Sequence, residues 1–300
     1  MILKLTPALK NYIWGGTNLK TKWNKVSEEQ RLAESWELSL NSSGMCYVCD
    51  GEHNGKPLAE VLEPIDIGAN SKDFPFFPVL VKLIDAATPL SLQVHPTDKY
   101  ALQNEGKYGK TEMWHILDAT EDAYIYLGFN RNISKEQFVR ALRDKTLCDL
   151  LNRVPVKPNQ TYFVPSGTIH AIGAGVTLIE IQQNSDLTYR VYDYDRLGAD
   201  GKPRELHIEK ALDVLNFDKY DVPDSKRGEL LGKCKYFSAY RLQGAKTLCF
   251  ADSFASVTTL NGEINVNGTT IKRGETVFAS AGTQMQIVGD GCYCLVCTEK

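Results

Sequence analysis

The stretch that most constrains this chain runs from Asn159 to Arg190, NQTYFVPSGTIHAIGAGVTLIEIQQNSDLTYR. Short apolar runs alternate there with turn residues, Pro165-Ser166-Gly167 and then Gly173 and Gly175, so it reads as strands joined by tight turns. A turn and strand are expected over Asn159 to Val164, a strand from Ile169 to Ala171, and another from Val176 to Gln182. The stretch also carries chemistry. His170 follows a tight turn, Glu180 sits among Leu178, Ile179 and Ile181, and Arg190 lies close behind.

Two earlier segments answer to it. In PLSLQVHP, residues 89–96, side chains alternate between faces, so Leu90, Leu92 and Val94 share one face while Ser91, Gln93 and His95 share the other. In the strand expected from Thr111 to Leu117, Lys110, Glu112 and Trp114 point one way and Thr111, Met113 and His115 the other. Lys110 and Glu112 therefore reach one site together, and His115 does not join it. The candidate metal ligands are Gln93, His95, Glu112 and His170. Two imidazoles and a carboxylate suit a divalent ion such as zinc, with an amide oxygen and a water to complete the shell. A set with open positions is catalytic in style. An apolar surround should raise the pKa of Glu180 and make it a candidate general base. Arg190 offers a fixed fork for an anion or oxyanion, although spacing alone favours a plain surface arginine or an ion pair with Asp186.

Elsewhere the apolar run FPFFPVLVKLI places a strand from Val79 to Ile84, and ESWELS, residues 34–39, alternates like a half-buried strand. Short helices are expected over Lys56 to Leu62, within residues 97–110, and over Leu206 to Leu215, with a polar loop over residues 193–204. The longest helix is expected from Ile133 to Asn152, capped by Ser134 with Gln137 as its capping-box partner and stapled by Ile133 and Phe138. Residues 221–233 read as a polar linker. From Tyr236 onward turn signals at short intervals indicate an all-β unit.

A net charge of −3 with no basic block argues against a nucleic-acid partner. No run approaches the roughly 20 apolar residues of a membrane span. Eight cysteines without a secretory signal point to buried thiols in a reducing cytoplasm. There is also an internal echo. Asn159, Pro165, Gly167 and His170 recur at the same offsets 115 residues later as Gly274, Ser280, Gly282 and Met285. Two copies of one barrel, the second without its histidine ligand, would produce this pattern.

The spacing around His170 resembles the second motif of the cupins, with Asn159 in place of its first glycine and Ala174 where the motif carries asparagine. QVHPTD, GKTEMW, VPSGTIHAIG and the run from Glu180 to Arg190, together with WGG, ESWELS and TYRVYDYDR, resemble the type I mannose-6-phosphate isomerase family in its short bacterial form. That resemblance covers essentially the whole chain. It implies a mainly β fold of two cupin-like jelly-roll barrels, with a few short helices inserted in the first. Residues 1–220 would form the metal-binding domain, 221–235 a linker, and 236–300 a cupin-like domain without metal ligands. It implies zinc on His95, Glu112 and His170 with Gln93 as the further ligand, Arg190 as the catalytic arginine, and Lys110 as the lysine preceding the metal glutamate. The expected reaction interconverts mannose 6-phosphate and fructose 6-phosphate through a cis-enediol. Glu180 or a metal-bound water is the candidate base, and Lys82, Lys99, Lys110 and Arg196 are candidate cations for the phosphate. The competing readings are an iron(II) cupin oxygenase and a sugar-phosphate-binding regulator that has lost catalysis. The sequence identifies no protein partner.

Overall fold

The computed structural model describes residues 1–198, 200–225 and 228–299. Two β-barrels pack against each other. In the first, a six-stranded sheet is ordered Thr161–Val164, Glu112–Ala119, Val176–Gln183, Val79–Ala86, Glu34–Leu38, Ala8–Lys10. Opposite it lies a five-stranded sheet ordered Leu151–Pro155, Tyr124–Phe129, His170–Ile172, Leu92–Val94, Tyr189–Tyr192. Ile116, Val176 and Leu178 of the first sheet meet Ile125, Leu127 and Ile172 of the second in one apolar core. The second barrel pairs a seven-stranded sheet with a four-stranded one, and Val257, Val277 and Leu295 pack there against Ile264, Met285 and Ile287.

A further apolar layer joins the barrels. Val79, Val81, Leu83, Met113, Ile179 and Ile181 face outward from the first barrel onto Phe237, Phe254, Phe278, Cys294 and Val296 of the second. Because alternate residues face opposite ways along a strand, Lys82 and Glu180 then point into the first barrel. This places charged groups inside strands that are buried on both faces. Glu34–Leu38 is likewise buried throughout, not half-buried as its alternation suggests, because the second barrel covers its outer side.

Several boundaries differ from the sequence reading. The strand Ile2–Thr6 pairs with Thr276–Ala279 in the seven-stranded sheet, so the start of the chain is built into the C-terminal barrel. Within the expected linker, Leu230–Lys233 is a strand on Ser238–Gln243. The helix expected to Asn152 spans only Lys135–Arg143. Lys145 takes a left-handed φ of 58° and stops it, a one-turn 3-10 helix follows at Leu147–Leu150, and Leu151–Pro155 is a strand. The N-terminal end is as expected: Gln137 N donates to Ser134 Oγ at 3.2 Å, and Ser134 N donates to Gln137 Oε1 at 2.7 Å. Ser134→Ala should lower unfolding free energy by about 1 kcal/mol in urea denaturation.

The echo is structural. Asn159 and Gly274 both adopt positive φ, 68° and 83°, as do Gly167 at 85° and Gly282 at 73°. Thr161–Val164 and Thr276–Ala279 follow the first turn; His170–Ile172 and Met285–Val288 follow the second. The pairing registers coincide as well. Val164 faces Glu112 as Ala279 faces Ala255, and His170 faces Gln93 as Met285 faces Leu248. His95 accepts a backbone hydrogen bond from Gly167 N, and Phe250 accepts the same bond from Gly282 N. The second barrel thus carries Phe250, Ala255 and Met285 where the first has His95, Glu112 and His170.

Among the described residues no helix is long and apolar enough to cross a membrane. All eight cysteines are free; Cys46, Cys292, Cys294 and Cys297 are buried, whereas Cys249 is exposed.

Candidate metal centre and adjoining cleft

The sheet-on-sheet arrangement brings three strands' polar faces to one point inside the first barrel. His95 Nε2 lies 3.4 Å from Glu112 Oε2, and His170 Nε2 lies 3.4 Å from Glu112 Oε1. All three side chains are buried, and one ligand atom from each falls within 4.8 Å of the others. The imidazoles are oriented from behind: His95 Nδ1 lies 2.8 Å from Leu187 O, and His170 Nδ1 lies 2.8 Å from Thr168 O. A backbone carbonyl only accepts, so each Nδ1 carries the proton and each Nε2 presents a lone pair. Burial reinforces this. Desolvation, with Lys110 alongside, pushes the His95 pKa down to about 3, and desolvation also lowers that of His170.

Glu112 is the converging carboxylate. Burial opposes its charge, yet Lys110, His95 and His170 hold its pKa well below the usual carboxylate range. The Lys110 ammonium pairs with its Oε2 at 2.5 Å, whereas Oε1 has no hydrogen-bond donor. Two imidazole lone pairs converging on a buried carboxylate whose Oε1 lacks a donor suit a cation, and the mixed N/O donor set suits zinc. Gln93 lies beside the group, with its side-chain amide nitrogen 3.4 Å from His170 Nε2. His115 lies outside, bonded to Thr161 Oγ1 at 2.8 Å, as strand parity predicts.

Beside this centre opens a cleft of about 370 Å³ lined by Lys82, Ser91, Gln93, Lys110, Glu180 and Arg190, with Tyr12, Trp14 and Trp36 on its walls. Lys110 Nζ sits 2.5 Å from Glu112 Oε2 and 3.6 Å from Glu180 Oε1. Trp114 Nε1 donates to Glu180 Oε2 at 2.9 Å, leaving Oε1 without a hydrogen-bond donor. Burial, and then the charge of Glu112, raise the pKa of Glu180, in line with the expectation from its apolar neighbours. Arg190 is not paired with Asp186, which is held by Lys107 and Ser43. Instead Arg190 Nε donates to Ser91 Oγ at 3.2 Å and Nη1 to Glu205 O at 2.9 Å, fixing the guanidinium on the cleft wall.

Of the cations considered for a phosphate, Lys82 and Lys110 line the cleft. Arg196 is turned aside onto Asp193 and Pro89 O, and Lys99 is not part of the lining. Sequence reasoning missed Glu34, Trp36, Lys10 and Arg204, which also line the cleft. The alternation of ESWELS placed Glu34 and Trp36 on one face, but nothing local indicated that this face meets the metal centre.

The fold and site define a metal-binding enzyme of the double-barrel cupin class. A family model described as phosphomannose isomerase type I, catalytic domain, matches residues 2–126. The chain is 41% identical over 248 residues to the probable mannose-6-phosphate isomerase GmuF of Bacillus subtilis, covering 80% of this chain and 78% of that one. It is 38% identical over 268 residues to mannose-6-phosphate isomerase ManA of the same organism, covering 86% and 84%. The crystal structure of the mannose 6-phosphate isomerase from Bacillus subtilis superposes with a TM-score of 0.88 at 34% identity, covering 99% of both chains. The chain belongs to the type I mannose-6-phosphate isomerase family.

Proposed function

We propose that the chain is a zinc-dependent aldose–ketose isomerase that interconverts mannose 6-phosphate and fructose 6-phosphate. One observation carries the reading: beside the buried His95–Glu112–His170 centre lies a cleft lined by cations and by the Glu180 carboxylate. His95, Glu112, His170 and Gln93 are the residues that would hold zinc. When bound, the ion supplies Lewis acidity toward the substrate oxygens and lowers the cost of enediolate charge.

The chain's own groups do the rest. The reaction moves a proton between C2 and C1 of the sugar through a cis-enediol. Glu180 is the candidate base, because its Oε1 lacks a hydrogen-bond donor, its carboxylate lines the cleft, and burial raises its pKa. Arg190, held by Ser91 and Glu205, presents a fixed positive fork to the developing oxyanion. Lys110 steers the anionic sugar phosphate into the cleft and keeps Glu112 charged. The same reading assigns metal binding to residues 1–220 and a metal-free role to 236–300, with Ile2–Thr6 lent to the second sheet. Eight unpaired cysteines support a reducing compartment, the cytoplasm.

The test is a coupled assay of purified protein with mannose 6-phosphate, before and after chelation and with zinc restored. Turnover should disappear on chelation and return with zinc. Zinc-loaded protein without turnover would refute the assignment.

A further inference from the structure

Charges alternate along the inside of the first barrel beyond the groups that the reaction requires. Lys82 Nζ lies 3.4 Å from Glu180 Oε1 and 3.6 Å from Glu34 Oε2. Glu34 Oε2 in turn accepts from Trp36 Nε1 at 2.6 Å, and the Lys82 ammonium stands 4.8 Å from the centre of the Trp36 ring. All four side chains are buried and line the cleft. Lys82 and Lys110 therefore flank the same oxygen of Glu180, at 3.4 and 3.6 Å.

The barrel does not need this row of charges in order to fold. Buried ion pairs seldom stabilise more than apolar residues of similar size would. The second barrel makes the point internally. Glu180 faces Lys82 across the ladder, and Trp36 faces Lys82 from the other side. At the same registers the second barrel places Tyr240 for Lys82, Leu295 for Glu180 and Leu230 for Trp36. The charges are absent where the metal ligands are absent, so they belong to the chemistry of the cleft.

We propose that Glu34 is a positioning residue: clamped by the Trp36 indole, it shares the Lys82 ammonium with Glu180, at 3.6 Å against 3.4 Å, and so keeps that ammonium from closing fully on Glu180 Oε1. Without the Glu34 charge, Lys82 has Glu180 as its remaining ion-pair partner and closes on that oxygen. The proton acceptor is then tied up in an ion pair while the metal centre and the Arg190 wall are untouched. The loss should fall on the chemical step and leave substrate binding intact. This inference rests on the isomerase reading above.

The experiment compares the parent with Glu34→Gln, Glu34→Asp and Trp36→Phe for kcat, KM, bound zinc and thermal melting. Gln keeps the shape and the acceptor for Trp36 but removes the charge; Asp keeps the charge. Glu34→Gln should lower kcat by roughly tenfold to a hundredfold while KM changes by less than about twofold and zinc content is unchanged. Glu34→Asp should recover part of the loss, which a purely structural role would not produce. If folded, zinc-loaded Glu34→Gln turns over within about twofold of the parent, the proposal is wrong. If that variant does not fold, Trp36→Phe decides on the same scale: a kcat loss at constant KM and zinc supports the role, and an unchanged kcat overturns it. A parent without turnover would instead overturn the isomerase reading itself, and this role with it.

Discussion

His170→Met should yield a protein that folds and melts like the zinc-free parent but neither retains zinc nor turns over mannose 6-phosphate. The substitution is taken from the molecule itself, since Met285 fills the equivalent position in the second barrel and is buried in its core. At residue 170 the methionine would sit on the same backbone, after the same pair of left-handed turns. What is lost is the lone pair aimed by Thr168 O at Glu112 Oε1. Metal Lewis acidity contributes several kcal/mol to charge stabilisation, and about 1.4 kcal/mol is tenfold in rate, so kcat should fall roughly 10³-fold or more. Zinc content by atomic absorption, melting temperature and kcat are the three readouts. Retained zinc with full turnover would remove His170 from the ligand set.

A second large effect should appear far from the cleft. Lys25 and Glu37 form a buried ion pair at 2.6 Å where the two barrels meet. Glu37 also accepts from Ser35 Oγ at 2.6 Å and from Thr276 Oγ1 at 3.1 Å, while Lys25 donates to Gly274 O. The pair therefore bridges the first barrel to the turn that echoes Asn159. Glu37→Ala strands an ammonium in a dry interface and leaves the Ser35 hydroxyl without its acceptor. Destabilisation of about 3–5 kcal/mol is expected from breaking such a pair on one side. Denaturant unfolding measures it, and a loss under about 1 kcal/mol would mean that water reaches Lys25 readily.

The metal centre was legible because it depends on strand parity, which is a local property. Ser91, Gln93 and His95 fall on one face, Lys110 and Glu112 on another, and His115 is excluded, all without knowledge of which strands pair. The Asn159 and Gly274 turns were legible for a similar reason: their backbone needs left-handed φ, which asparagine and glycine tolerate best. The cleft was only partly legible. Lys82 stood among candidate phosphate cations, but its place between Glu34 and Glu180 depends on the registers of Val79–Ala86 with two strands distant in sequence. The overlong helix has a plain cause. Leu150 and Leu151 continue the apolar spacing of Phe138, Ala141 and Leu142 and pack in the same core, but from a 3-10 turn and a strand.

The pairing of Ile2–Thr6 with Thr276–Ala279 has a consequence for how the chain reaches its native state. Ile2–Thr6 must wait until residues up to Thr276 have been made before this partner emerges. Until then only its end, Leu5 and Thr6, has a strand partner, in Tyr47–Val48, and the edge that Thr276–Ala279 will cover stays open to neighbouring chains. Such a high-separation contact slows folding and exposes intermediates to aggregation. Truncation shortly before Thr276 should therefore yield insoluble protein, even though every residue of the metal centre is already present.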